Sequence, residues 1–174
     1  MINLVTAIKY ISLVVFLVAI NVSDLKSYKI KNKAIFPALI VALILAISTR
    51  TFLDSVYGML IPLVLFPFYA LKMLGAGDVK AMCVIGAFVG FKLSVINMAL
   101  TFIAGGIIAI VFMLFNRNFV NRMKYLFNYF KMCIFLHKIS SYDYGGGERS
   151  YFRFSFAITA GAILTVVYQY LCII

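Results

Sequence analysis

The stretch LVTAIKYISLVVFLVAINVSD, residues 4–24, is almost wholly apolar until it ends in Asn21, Ser23 and Asp24. Crossing a bilayer as a helix takes about 20 apolar residues, and Leu4 to Val22 supplies such a run. Lys9 ahead of its apolar centre gives it the look of a secretory leader, yet no small-residue cleavage site follows. The segment therefore reads as a retained membrane helix with a carboxylate at its end.

Working outward from it, five more apolar segments follow, at about 34–48, 52–73, 79–91, 93–115 and 152–174. The segment at 52–73 contains Pro62 and Pro67 and should be kinked, because proline removes a helical hydrogen bond and crowds the preceding turn. Of the 174 residues, 65% are hydrophobic and 12% charged, with a mean hydropathy of +1.08. A soluble domain carries about 25% charged residues, so a surface this poor in charge must face lipid. The expected fold is all-α, a polytopic membrane bundle of about six transmembrane helices forming one domain over residues 1–174.

Between the last two segments, Asn116 to Arg149 mixes aromatics and leucines with Arg122, Lys124, Lys131 and Lys138. Those charges would be costly at mid-bilayer. A basic amphipathic helix lying in the interface fits the pattern, and a seventh span is the competing reading.

The net charge of +11 raises the question of nucleic acid. The basic residues lie in short segments between apolar runs, where topology and anionic lipid headgroups explain them, so the bilayer and not nucleic acid is the expected partner. With the loop after the first helix placed in the cytoplasm, that side collects Lys26, Lys29, Lys31, Lys33, Lys72, Lys80 and the basic residues from Arg117 to Arg153. The opposite side keeps Lys9, Arg50 and Lys92. The positive-inside rule thus puts both termini outside.

Five acids are present: Asp24, Asp54, Asp78, Asp143 and Glu148. Asp54 stands near Arg50 in a short external loop, where capping or solvation accounts for it. Asp143 and Glu148 flank Gly145, Gly146 and Gly147 in a polar linker. Asp24 ends the first helix and Asp78 opens the fourth, which places both at the cytoplasmic membrane edge. Ordinary readings exist for each, a solvated helix end for Asp24 and an N-cap for Asp78. Ionisable groups against lipid nevertheless mark functional sites by default. Two neighbouring carboxyls share a proton, so one can activate water while the other donates to a scissile carbonyl.

Competing chemistries lack material. His137 is the single histidine, and Cys83, Cys133 and Cys172 form no C-x-x-C pair, so no metal or other cofactor is expected and no Ser-His triad can be assembled.

Asp78 lies in Leu74-Gly75-Ala76-Gly77-Asp78-Val79-Lys80. Gly75 and Gly77 would permit unusual backbone angles and let another chain pass closely. Lys80, on the first turn of the fourth helix, either snorkels to headgroups or orients lipid or the loop near the acids. Gly86 and Gly90 form G-x-x-x-G, which favours close helix packing, and Gly105, Gly106 and Gly161 read alike.

Here the chain resembles the type IV prepilin peptidases, relatives of archaeal preflagellin peptidases. Their GxGD aspartate, usually followed by x-Lys, is similar to Gly75–Lys80, and their earlier D-x-x-x-x-x-I-P-N loop resembles Asp24 to Asn32, with Lys31 replacing the proline. The segment Phe154 to Gly161 resembles the family's P-Y-x-x-A-I-x-x-G helix start without its proline and tyrosine. The resemblance implies a membrane aspartyl protease with Asp24 and Asp78 as the catalytic pair. It would cut the short basic leader from prepilin-like precursors at the cytoplasmic face. It also implies the short, peptidase-only form found with Flp-type (tight-adherence) pili, since the methyltransferase insertion between the first two helices has no counterpart. The dipole at the N-terminus of the fourth helix favours charge on Asp78 by about 0.3–1 kcal/mol, which nominates Asp78 as base and Asp24 as the protonated partner. The rival classes are a small membrane transporter or pilus-assembly scaffold using the acids as ion or contact sites, and a presenilin-like protease with deeper aspartates.

Overall fold

The computed structural model describes residues 4–27, 30–70, 74–115 and 153–173. They form α1 (Leu4–Ser27), α2 (Asn32–Ser48), α3 (Phe52–Leu60), a 3-10 turn (Ile61–Leu65), α4 (Phe66–Ala70), α5 (Ala76–Val89), α6 (Phe91–Phe115) and α7 (Ser155–Ile173). Among the described residues there is no strand. Because α3, the 3-10 turn and α4 follow one another as a single rod, the helices make six apolar rods. Four of these, Leu4–Ser27, Phe52–Ala70, Phe91–Val111 and Ser155–Cys172, are long and apolar enough to cross a membrane. The Asn116–Arg149 stretch, read as interfacial or as a seventh span, lies outside the described residues.

Helix ends depart from the hydropathy boundaries in instructive ways. Hydropathy falls at Asn21, but α1 continues to Ser27, so Asp24 stands in its last turn and not beyond it. Polar side chains there bond back along the helix: Asn21 Nδ2 donates to Leu17 O at 2.7 Å and Ser27 Oγ to Ser23 O at 2.8 Å. The rod expected to kink at its prolines tightens there into a 3-10 turn, with Pro62 at its second position. The fourth rod begins at Ala76, before the apolar run expected from Val79, and stops at Val89. Gly90 ends it with φ of 88°, a left-handed angle that costs glycine nothing, and α6 starts at Phe91.

α5 is the centre of the bundle. It packs against α1, α2, α3, the 3-10 turn, α4, α6 and α7, and Val79, Ala81, Met82, Val84, Ile85, Ala87 and Phe88 are all buried. At about 1.5 Å per residue it is shorter than the hydrocarbon core, which it tolerates because helices and not lipid surround it. Outer rods do the reverse: Val14, Val15 and Val18 of α1 and Ile103 and Ile107 of α6 are exposed, as a lipid-facing surface requires.

Lipid removes the hydrophobic drive between helices, leaving close packing of small residues and interhelical hydrogen bonds. Both are present. Gly58 of α3 and Gly86 of α5 meet backbone to backbone, so that a Cβ on either would collide with the other's carbonyl. Ser94 Oγ of α6 donates to Gly58 O at 2.7 Å in the same contact. Gly161 of α7 also lies against Thr101, whose backbone a Cβ there would meet at 2.8 Å. Gly106, grouped with these by sequence, has open space where its Cβ would be. Tyr10 Oη donates to Gln169 Oε1 at 2.8 Å, while Asn21 Nδ2, near the other end of α1, reaches Thr159 Oγ1 at 2.6 Å. α1 and α7 are therefore antiparallel. Phe154 beside Gly105 makes α6 and α7 antiparallel as well, so α6 ends and α7 begins at the same end of the bundle.

Candidate active site

That shared end also holds Asp24 and Asp78. Asp24 is carried by the last turn of α1 and is buried, with 8% exposure. Its Oδ2 accepts from Ser155 Oγ of α7 at 2.6 Å, and Ser155 is itself 1% exposed. Asp78 is half-buried at the start of α5, close enough for the charge of Asp24 to act on it. The two sequence-predicted acids, far apart in the chain, are thus brought together by α1 and α5.

Local geometry at Asp78 differs from a simple N-cap. Gly75 is the N-cap residue, and Asp78 occupies the third helical position. The backbone N–H groups of Asp78 and Val79 donate to Gly75 O at 3.1 and 3.3 Å. In return the Asp78 carboxylate accepts from the Gly75 backbone. The acid reaching back to the N-cap backbone is one half of a capping box, with a shorter side chain in the usual Glu position.

The glycines act through space and not through angle. Gly75 has φ −75° and ψ 141°, open to any residue, but a Cβ on it would lie 2.7 Å from Asp78 Oδ2. A Cβ on Gly77 would sit 3.0 Å from Ile30 Cβ and 3.3 Å from Ile30 O. Both positions are small so that the Asp78 carboxylate and the chain leaving α1 can lie against the turn.

Lys80 extends the same union. Its Nζ donates to Asn32 Oδ1 at 3.2 Å, at the first residue of α2, and Lys31 N donates to Ser23 Oγ at 3.2 Å. The connection after Asp24 is therefore tied to α1 on one side and to α5 on the other. Sequence reasoning left Lys80 divided between snorkelling to headgroups and orienting lipid or the loop near the acids; in the fold its Nζ reaches the residue that opens α2. Ser155 lies in the Phe154–Gly161 segment matched by resemblance but was given no role, because a serine at the start of an apolar helix does not reveal its partner. Among the described residues no group of three or more His, Cys, Asp or Glu could hold a metal.

The fold and site together define a multi-pass helical membrane protein that gathers two carboxyls at one end of its bundle. A scan against protein-family models matches the type IV leader peptidase family over residues 11–110, more than half of the chain and inclusive of Asp24 and Asp78. The chain belongs to that family, and so to a class of proteases. Comparisons with curated proteins and with solved structures gave no match.

Proposed function

We propose that this protein is an aspartic-type endopeptidase that removes the short basic leader from pilin-like precursors. The observation that carries the reading is the meeting of Asp24 and Asp78 at one end of the bundle, on motifs that pack against each other. Under the topology read from the sequence, 13 of the 16 basic residues share the side of the two acids, which supports a cytoplasmic site in the inner membrane with both termini outside. A precursor whose own helix lies in lipid would present the bond before that helix at this height.

The chemistry needs one proton between two carboxyls. The ionised member takes a proton from water, whose oxygen bonds to the scissile carbonyl carbon. The neutral member gives its proton to the carbonyl oxygen. Collapse breaks the C–N bond as a proton passes to the leaving nitrogen, and the pair returns to one shared proton. One of Asp24 and Asp78 serves as base while the other serves as the proton donor. Gly75, Gly77 and Lys80 position the two acids and the loop between them.

Coexpression with a pilin-like precursor tests this directly. The precursor should shorten with the wild type and keep its full size with Asp24→Asn or Asp78→Asn. Normal processing by either variant would overturn the paired scheme.

A further inference from the structure

Deepening the reading above, on which it rests, we infer that Ser155 is a positioning residue of the acid pair. Its hydroxyl occupies Oδ2 of Asp24 and reserves Oδ1 for the shared proton.

A carboxyl has two oxygens that compete for one proton. The oxygen that already accepts a short O–H hydrogen bond is the poorer place for a proton of its own. Ser155 Oγ sits 2.6 Å from Oδ2, with both side chains buried. The contact therefore makes the two oxygens of Asp24 unequal. It steers the proton to be held, given or received toward Oδ1 in either ionisation state.

The serine is itself fixed from two directions. Thr159, one turn along α7, donates from its Oγ1 to Ser155 O at 2.9 Å and accepts from Asn21 Nδ2 at 2.6 Å. Asn21 and Asp24, one turn apart on α1, therefore meet Thr159 and Ser155, one turn apart on α7. Helix ends add a field. Asp24 lies in the last turn of α1, where the helix dipole opposes a negative charge, and Ser155 brings the first turn of α7, whose dipole favours one. The start of α7 offsets what the end of α1 costs.

Steady-state kinetics of the full chain, purified and reconstituted with a pilin-like precursor, separate positioning from packing. Ser155→Ala should lower kcat about tenfold with little change in KM and an unchanged melting temperature, and Ser155→Thr, which keeps the hydroxyl, should recover most of the rate. Wild-type kcat in Ser155→Ala, or equal loss in the alanine and threonine variants, would overturn the inference. Infrared spectra of aspartate-labelled protein provide a readout that needs no substrate. Ser155→Ala should shift one carboxyl band, the band that Asp24→Asn removes, and an unmoved band would equally overturn it. A wild type that cuts no precursor sinks the proposed function, whereas the infrared comparison judges the Ser155 contact by itself.

Discussion

Each end of the bundle places an aspartate against the start of a helix, and the two ends use it differently. At the end away from the site, Asp54 in the first turn of α3 accepts from Phe91 N at 3.1 Å and caps α6. Its other oxygen lies where a Cβ on Gly90 would be, and Lys9 of α1 is within reach of its charge. A backbone donor meets that carboxylate, and the bond ties α3 to the start of α6. At the motif end, Asp24 and Asp78 lie within reach of each other's charge, one met by a hydroxyl and the other by a backbone donor. Structure alone would not choose that arrangement, since a buried pair of like charges is costly unless one is neutral. An acid at a membrane edge is thus diagnostic by its partners and not by its depth.

Substitutions can break the comparison. The largest effect belongs to Asp24→Asn and Asp78→Asn, each expected to lower precursor cleavage by about 10³-fold or more, as loss of acid–base chemistry does. Asp54→Asn, measured in the same cleavage assay, should stay near wild type. A dead Asp54→Asn enzyme that is still folded would erase the distinction between the two ends. Next, Gly75→Ala pushes a methyl to within 2.7 Å of Asp78 Oδ2. Displacing a reacting group by about 1 Å can cost about 10²-fold, so kcat should fall by that order while the melting temperature holds. Asp54→Ala removes a helix cap and should cost about 1 kcal/mol of stability, read as a lower melting temperature with kcat retained. The smallest effect is expected from Lys80→Ala. Its bond to Asn32 is exposed, and exposed polar links contribute about 0.2–1 kcal/mol, so kcat/KM should drop only a few-fold.

What the sequence made legible follows from what lipid demands. Apolar length reveals rods, because a spanning backbone must bond internally and cover itself with apolar side chains. Glycines and an acid in one short motif reveal a turn built around that acid. Hydropathy does not reveal register between rods. Asn21 to Ser27 stays helical through backbone-directed side chains that a hydropathy profile counts as loop. Gly58 carried no marking as the partner of Gly86, and Asp54 read as a loop acid because the helix it caps lies 37 residues away in sequence. Ser155, 131 residues from Asp24, is the extreme case.

That separation sets an order of assembly. Asp24 leaves the ribosome before the serine that touches it, and that serine follows every other described helix. A nascent chain halted before residue 153 would already carry both acids and the whole matched family region, yet Asp24 would still lack its serine. Maturation of the acid pair is thereby coupled to insertion of α7 alongside α1.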